Sequence, residues 1–377
     1  MDLKNAFLEY FGKGATAEKR IGLELEHFVM RNNRPLGYSE GTGNILSELS
    51  EGAEKTFTEN GYILGSDMGD YTLTLEPGAQ LEISVSPMCD TEKIAEVLNS
   101  FYRKAEPVLE KYGARLETVP TLSRELLESV ELIPKKRYEY MDKYFQMSGT
   151  MGRHMMRGSA SVQVSVDYED EADFVCKFRT AYILTPIFAF LISSDKKFDR
   201  ITIWDNTDNK RTYIPEDLFA DSFGFESYAE ALMLVPAIFI PENGEYIYTD
   251  GKSIGELSER LDVTEELVGH FLSMVFPDVR LKQYIEIRIA DAVESEKAVA
   301  YAELVKTLFY TDALSEIATE YSDVTVEGIL AAKSSLVQNG SNAVIYGKSA
   351  NSQARYILNL AKKYGNYNKI KALTGEF

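Results

Sequence analysis

The chain has few of the residues on which many catalytic and metal centres depend. Its 377 residues include only 2 cysteines, 3 histidines and 1 tryptophan. The cysteines, Cys89 and Cys176, do not form a C-x-x-C pair. A disulfide framework, a zinc site and histidine-based catalysis are therefore all disfavoured.

Basic residues are also in deficit, because 40 Lys and Arg stand against 59 Asp and Glu, a formal net charge of −19. No block of Lys and Arg offers the basic surface that a nucleic acid requires, so we expect no nucleic-acid partner. The longest apolar stretch, about 181–192, is too short to cross a membrane and contains Pro186, so it predicts a buried helix and no membrane partner. The first residues lack the pattern of a signal peptide, and we expect a cytoplasmic location.

Four segments alternate aliphatic with polar residues, the pattern of strands that bury one face only. They lie at 23–26, 80–83, 161–167 and 284–289. Lysine is absent from their polar positions, which collect Glu24, Glu26, Glu82, Gln163, Glu286 and Arg288. Carboxylates at this density repel one another unless cations bind them, and oxygen ligands suit Mg²⁺, which accompanies nucleoside triphosphates.

The segments between these strands have helical spacing. Helices are predicted at about 91–112 with Asp90 as N-cap, 172–192, 263–276, 294–310, and in two or three amphipathic stretches after about 322. Pro107 is expected to kink or split the first helix. We predict an α+β fold, with a curved, mainly antiparallel sheet whose polar face is lined with carboxylates and whose other face packs on helices. Residues 1–377 are predicted to form a single catalytic domain, with about 322–377 as a C-terminal helical extension.

Three arginines lie outside the long charge runs: Arg137, Arg200 and Arg211, the last two flanking Trp204. Arginine binds carboxylates or phosphates through paired hydrogen bonds, and an indole ring can form a pocket wall. Together with the carboxylates, these residues indicate phosphoryl transfer from ATP–Mg²⁺ to a carboxylate that an amine then attacks. The same groups would serve a kinase, so this reasoning leaves both reactions open.

A series of motifs between residues 21 and 288 occurs in the order and spacing of one known family. The motifs are I-G-L-E-L-E-H-F at 21–28, L-E-P-G-A-Q-L-E at 75–82, P-K-K-R-Y at 134–138, M-M at 155–156 followed by S-V-Q-V at 161–164, R-x-x-x-W-x-x-x-D-x-x-R-T at 200–212, D-S-F-G-F-E at 221–226, and F-P-D-V-R-L-K-Q-Y-I-E-I-R at 276–288. The sequence thus resembles the glutamate–cysteine ligase family of the plant and proteobacterial type. These are carboxylate-amine ligases with a glutamine-synthetase-like fold.

The resemblance implies a reaction and a role for each matching residue. The γ-carboxylate of L-glutamate would be joined to the amine of L-cysteine at the expense of ATP, through a γ-glutamyl phosphate. The implied roles are two or three Mg²⁺ ions on Glu24, Glu26, Glu76, Glu82 and Glu286, glutamate binding by Arg137, Arg200, Trp204 and Ser161, nucleotide binding by Gln163 and Arg211, and catalysis at the transferred phosphate by Arg288 and Glu286.

The sequence departs from the family pattern at several positions. Ala79 replaces a glycine in the E-P-G-G turn, and Ile238 stands where relatives carry a tyrosine on the acceptor side. An aliphatic wall at Ile238 is expected to admit other small apolar amino acids besides cysteine. Alternative functions are a γ-glutamyl ligase for another amine, a phosphagen-type kinase, or an inactive binding homologue. We expect a monomer or a homodimer.

Overall fold

The computed structural model describes residues 2–193, 195–242, 244–258 and 261–375. Within these ranges the strands are β1 Ile21–Arg31, β2 Arg34–Pro35, β3 Lys55–Glu59, β4 Tyr62–Asp67, β5 Tyr71–Leu75, β6 Leu81–Met88, β7 Arg115–Glu117, β8 Val162–Val166, β9 Phe239–Glu242, β10 Glu245–Tyr248, β11 Val279–Leu281, β12 Ile285–Ile287, β13 Val344–Ile345 and β14 Lys348–Ser349.

The helices of the described residues follow the same chain order. They are α1 Leu3–Gly12, α2 Gly43–Leu49, α3 Thr91–Lys111, α4 Arg124–Glu128, α5 Lys136–Phe145, α6 Gly152–Gly158, α7 Glu171–Ile192, α8 Asp199–Asp205, α9 Phe225–Met233, α10 Ile254–Ser258, α11 Glu265–Leu272, α12 Ser295–Tyr310, α13 Ala313–Glu320, α14 Val326–Asn339 and α15 Ala350–Tyr364. A π-helical turn at Tyr38–Thr42 and 3₁₀ turns at Gly340–Asn342 and Tyr367–Leu373 complete them.

The main sheet is antiparallel throughout, in the order β11-β12-β8-β1-β6-β5-β4-β3. The long strand β1 lies between β8 and β6, and its final residues also pair with β2 and β7. Strands from both ends of the sequence therefore meet in one sheet. The predicted α+β class with a mainly antiparallel sheet is confirmed.

The two faces of the sheet differ in chemistry because successive side chains point to opposite sides. One face carries the aliphatic row, in which Leu23, Leu25, Ile83 and Val164 are completely buried. Helices α3 and α12 pack against the sheet strands β6, β1 and β8. Each such side chain stabilises the fold by about 1.5–3 kcal/mol through removal from water. The carboxylate row is left on the opposite face.

The predicted helices are present, with one difference at Pro107. The Asp90 side chain accepts a hydrogen bond from the backbone N–H of Glu92 and caps α3, which runs unbroken through Pro107. Proline removes one helical hydrogen bond, the one to the carbonyl of Arg103, but the buried apolar face of α3 keeps the helix together. The predicted split of this helix is wrong.

Helix α7 is the one helix of the described chain that is long and apolar enough to cross a membrane. The protein itself buries 83% of its most apolar window, as expected of a core helix. The C-terminal helices pack on it: α13, α14 and α15 all contact α7, and the Tyr346 hydroxyl donates to the carbonyl of Ile183 at 2.7 Å. The predicted C-terminal helices thus lie against the core of the molecule.

Candidate active site

A polar cavity of about 500 Å³ lies on the carboxylate face of the sheet. Most of the residues singled out in the sequence line it, namely Glu24, Glu26, Glu76, Glu82, Arg137, Ser161, Gln163, Trp204, Glu286 and Arg288. Arg200, Arg211 and Ile238 are not among its lining residues. The cavity is therefore the candidate active site.

Strand register places the carboxylates side by side. Glu26 on β1 lies directly opposite Glu82 on β6, and Glu24 lies opposite Gln163 on β8. Residues two apart on one strand and residues paired across strands share a face of the sheet. Glu286 on β12 pairs with Ser165, which extends the same face by one more strand.

Ser161 and Gln163 hold the carboxylate of Glu26. Glu26 accepts hydrogen bonds from the backbone N–H of Ser161 at 2.8 Å, from its hydroxyl at 3.1 Å and from Nε2 of Gln163 at 2.9 Å. Burial raises the pKa of Glu26, while the nearby guanidinium groups of Arg200 and Arg288 oppose this rise. In this structure Ser161 and Gln163 thus donate their hydrogen bonds to another side chain of the cavity, the carboxylate of Glu26.

Three carboxyl groups of the cavity bind protons much more tightly than free glutamate. Burial, followed by repulsion from Glu82, raises the pKa of Glu24 to about 7. Burial and repulsion from Glu26 raise the pKa of Glu76 to about 7. Burial and repulsion from Glu76 raise the pKa of Glu82 to about 8, although Thr74 and Ser84 donate hydrogen bonds to it. A cation bound among these groups would relieve the repulsion.

The raised pKa values predict how the stability of the metal-free protein depends on pH. Between the ordinary glutamate pKa and the raised values of about 7 and 8, the folded chain keeps protons that the unfolded chain has lost. Stability therefore falls as pH rises through this window. We expect the melting temperature in EDTA to fall from pH 6 to pH 8.5, by about 2 °C for each kcal/mol lost. Glu82→Gln should flatten this slope; a slope unchanged by that substitution would contradict the assignment.

Glu286 is in the opposite electrostatic situation. Its Oε2 lies 2.7 Å from the guanidinium of Arg280 and 3.0 Å from that of Arg288, and its Oε1 lies 2.8 Å from Nζ of Lys282. Burial by itself would raise the pKa of Glu286, but the three cations hold it well below the ordinary value. In this structure both carboxylate oxygens contact cations, so Glu286 organises three positive charges; its role as a metal ligand stays a prediction.

Arg280 and Lys282 line the cavity and were missed in the sequence, although they belong to the F-P-D-V-R-L-K motif. Arg280 is the β11 residue paired in register with Glu286. Its remaining guanidinium nitrogen donates to the carbonyls of Leu272 and Val275, at and just beyond the end of α11. Interpreting residues 279–288 as a hairpin, with R-x-K facing E-x-R, would have found both cations.

Arg137 and Trp204 form part of the opposite wall. The Arg137 Nη2 donates to the Ser273 hydroxyl at 2.8 Å, and its Nε is buried with no hydrogen-bond partner in the described part of the chain. The indole N–H of Trp204 donates to the carbonyl of Phe276 at 2.9 Å, which turns its ring towards the cavity. Apolar side chains continue this wall: Tyr138, Met141, Met155, Met156, Leu272 and Phe276.

Arg200 lies behind Trp204, where it lines a small cavity together with Arg288. Its Nη1 donates to the carbonyls of Ile289 and Ala290 at 3.0 and 2.8 Å, and its guanidinium lies 4.8 Å from the centre of the Trp204 ring. Arg200 therefore supports the chain just after β12 and backs the indole. Its predicted contact with a carboxylate of glutamate stays a prediction.

The predictions for Arg211 and Ile238 are corrected. Arg211 is fully buried and donates to the carbonyls of Met274 and Pro236 and to Asp208, so its guanidinium does not face the cavity. Ile238 is 1% exposed and packs in the hydrophobic core. An acceptor specificity set by Ile238 therefore has no structural basis.

The turn at 76–80 brings the backbone close to α6. A side chain at Gly78 would lie 2.6 Å from the carbonyl oxygen of Arg157, so this position requires glycine. Ala79 adopts φ of +65°, a left-handed conformation that costs an L-residue about 1–2 kcal/mol. The carbonyl of Glu76 accepts from Ala79, and the Gln80 side chain accepts from Gly78, so the turn is held by its own hydrogen bonds.

No preformed metal centre accompanies the carboxylates. Within residues 2–193, 195–242, 244–258 and 261–375, no three His, Cys, Asp or Glu side chains lie together in a way that could hold a metal ion. The donors in the cavity are nevertheless carboxylate oxygens, the ligands that Mg²⁺ prefers. They fit an ion that arrives with a phosphate ligand and takes one or two protein carboxylates.

Comparison with known protein families identifies the relationship. The sequence matches the model of glutamate–cysteine ligase family 2 over residues 20–338. The chain belongs to this family. The resemblance drawn from the motifs is confirmed.

Relatives in this family include plant proteins of known name. The chain is 31% identical over 348 residues to chloroplastic glutamate–cysteine ligase B of Oryza sativa subsp. japonica, covering 86% of this chain and 70% of that protein. It is 31% identical over 314 residues to the chloroplastic glutamate–cysteine ligase of Medicago truncatula, covering 76% of this chain and 61% of that protein. It is also 31% identical over 327 residues to the chloroplastic glutamate–cysteine ligase of Arabidopsis thaliana, covering 81% of this chain and 62% of that protein. The chain thus spans roughly three fifths to seven tenths of the length of these relatives.

A solved structure has the same overall fold. Glutamate–cysteine ligase from Francisella tularensis in complex with AMP superimposes with a TM-score of 0.52 at 9% identity, covering 95% of this chain and 81% of that one. At this identity the likeness concerns the fold alone.

The predicted cytoplasmic location is contradicted by the same comparison. The plant relatives are named as chloroplast proteins. The composition of the first residues does not decide the location.

Proposed function

We propose that the protein is an ATP-dependent γ-glutamyl ligase that joins L-glutamate to L-cysteine. The observation that carries the proposal is the cavity in which carboxyl groups of raised pKa face the cations around Glu286. Membership of the ligase family supports the use of ATP. In the reaction, a γ-carboxylate oxygen of glutamate attacks the γ-phosphorus of ATP and ADP leaves. The amine then attacks the acyl phosphate, loses a proton, and inorganic phosphate departs.

The carboxylates Glu24, Glu26, Glu76 and Glu82 are proposed to bind magnesium that accompanies the nucleotide. When bound, Mg²⁺ would neutralise phosphate charge and orient the triphosphate. Ser161 and Gln163 would fix the orientation of the Glu26 carboxylate by the hydrogen bonds that they already donate. Two or three such ions are proposed for the site, as the family resemblance implies.

Arg288 is proposed to stabilise the transferred phosphate, with Lys282 and Arg280 beside it. Glu286 holds these three cations together at a spacing that their mutual repulsion would otherwise prevent. A preorganised set of donors of this kind stabilises developing charge without rearrangement during the reaction. Gln163 accepts a hydrogen bond from Arg288 and thereby connects it to Glu26.

The wall containing Arg137 is proposed to bind the amino-acid substrates. Arg137 would contact a substrate carboxylate, while Trp204 and the methionines Met141, Met155 and Met156 would contact aliphatic or thiol portions. A methionine-rich wall adapts to small differences in side-chain shape, so 2-aminobutyrate is a candidate second acceptor. The chain is proposed to act as one catalytic domain, as a monomer or a homodimer.

One experiment tests the proposed reaction. The purified protein is incubated with ATP, Mg²⁺, glutamate and a panel of amino acids, and ADP, phosphate and product mass are measured. The expected result is γ-glutamylcysteine in equal amounts with ADP and phosphate. Accumulation of a phosphorylated substrate without an amine would instead indicate a kinase, and no ATP consumption with any acceptor would overturn the proposal.

Arg137→Lys is expected to weaken binding of the substrate whose carboxylate Arg137 contacts. Lysine keeps the charge but loses the planar pair of donors, so the affinity should fall by about 1.5–3 kcal/mol, the contribution of hydrogen bonds to a charged group. The measurement is KM for glutamate, cysteine and ATP. Ser273→Ala removes the hydroxyl partner of Arg137 and serves as control for a change in arginine orientation. A raised KM for ATP alone would assign Arg137 to phosphate instead.

A further inference from the structure

Lys333, on the C-terminal helix α14, has its ammonium group inside the protein. The side chains of Lys333 and Asp278 are each 4% exposed, and Nζ lies 2.6 Å from Oδ2 of Asp278. Oδ1 of Asp205 lies 3.5 Å from the same ammonium. Burial of a lysine is unfavourable unless it is paired, so these two aspartates explain its position.

Both aspartates adjoin residues of the candidate site. Asp205 directly follows Trp204 at the end of α8. The backbone carbonyl of Asp278 accepts a hydrogen bond from the N–H of Arg288 at 2.8 Å. One ammonium group therefore joins the two segments that carry Trp204 and Arg288.

Asp278 also lies close to cations other than Lys333. It lines a small cavity together with Arg200, Arg288, Trp204 and Ile289. The Nε atoms of Arg200 and Arg288 are buried without a hydrogen-bond partner among the described residues. The buried Asp278 thus shares a cavity with two guanidinium groups, while its 2.6 Å contact with Lys333 directs its carboxylate to the ammonium group.

We propose that Lys333 is a positioning residue, which holds the Asp278 carboxylate away from Arg200 and Arg288. Arg288 then stays directed towards Glu286 and Gln163, where the reacting phosphate would lie. Without Lys333, Asp278 would be an unpaired buried charge and would turn to the neighbouring guanidinium groups. This inference rests on the proposed function, because it uses the role proposed for Arg288.

The test combines three variants at Lys333 and Asp278. Lys333→Met is expected to lower kcat by about tenfold to hundredfold, the usual consequence of a small misplacement in a reacting group, with little change in KM for glutamate. Lys333→Arg keeps the ion pair and should retain most of kcat. The double variant Lys333→Met with Asp278→Asn removes the competing charge and should recover most of the lost kcat. Lys348→Met, an exposed lysine paired with Glu320, is the matched control.

Several results would overturn the inference. One is a normal kcat in folded Lys333→Met. Another is a double variant that folds but is no faster than the single variant, which would mean that Lys333 only stabilises the fold. If Lys333→Met does not fold, a folded double variant with low kcat also overturns the inference.

A crystal structure of Lys333→Met gives a readout that does not depend on turnover. Asp278 should pair with Arg200 or Arg288, and an unmoved Asp278 carboxylate would refute the inference. Absence of ligation by the unaltered chain would refute the proposed function, whereas the rotamer of Asp278 would still decide the role of Lys333.

Discussion

Glu286→Gln is expected to lower the free energy of unfolding by about 3–5 kcal/mol, the effect of removing one partner from a buried ion cluster. Glu286 is completely buried, and its carboxylate is the anion shared by Arg280, Lys282 and Arg288. Glutamine keeps the size of the side chain but leaves three positive charges in close proximity without that compensation. We also expect turnover to be lost, because the same cations are proposed to bind the transferred phosphate. Urea denaturation measures the first effect and product formation the second.

Glu24→Gln is the matched control for this prediction. Glu24 lies on the same sheet face, but burial and then repulsion from Glu82 and Glu286 raise its pKa to about 7. Removing its charge should leave the stability of the metal-free protein unchanged or increase it at pH 8. A loss of stability as large as that of Glu286→Gln would contradict the distinction between the two glutamates.

Glu82→Gln is expected to lower turnover at least about a hundredfold, equivalent to about 2.7 kcal/mol of transition-state stabilisation. Burial and repulsion from Glu76 raise the pKa of Glu82 to about 8, so at neutral pH the metal-free protein largely carries it protonated. Replacing it should therefore cost little stability without metal, yet remove a proposed magnesium ligand. The rate should be measured against MgCl₂ concentration, together with the rise in melting temperature that Mg²⁺ and ATP produce.

Glu303→Gln is the corresponding control, because Glu303 is buried and hydrogen-bonded to Thr91 on the helix side of the sheet. It should alter stability but not the dependence of the rate on Mg²⁺. Near-normal turnover of Glu82→Gln at low Mg²⁺ would remove Glu82 from the set of metal ligands.

Much of the fold was predictable because local signals agreed with one another. Alternation with period two in 23–26 and 284–289 predicted strands with one buried face, and those strands are β1 and β12. The cap at Asp90 predicted the start of α3, since its side chain satisfies a free backbone N–H. The helix does not split at Pro107, because burial of its apolar face outweighs the loss of one hydrogen bond.

The errors at the site arise where motif spacing was taken as contact with a ligand. Arg211 fits a family pattern in spacing, but it is fully buried and its guanidinium donates to the backbone carbonyls of Met274 and Pro236. Spacing along the chain does not tell whether an arginine faces the cavity or the core. Ile238 lies in the core for the same reason, because the direction of a side chain depends on what packs around it.

The sequence by itself determined the alternation that separates the two faces of the sheet, the choice of carboxylates rather than histidines, and the family. These depend on residue identity and on periods of two and 3.6, which are properties of the local chain. Only the tertiary structure decided the electrostatic state of each glutamate. Glu286 lies beside three cations and Glu24 beside two carboxylates, and that difference depends on strand register and burial, which bring together residues far apart in the chain.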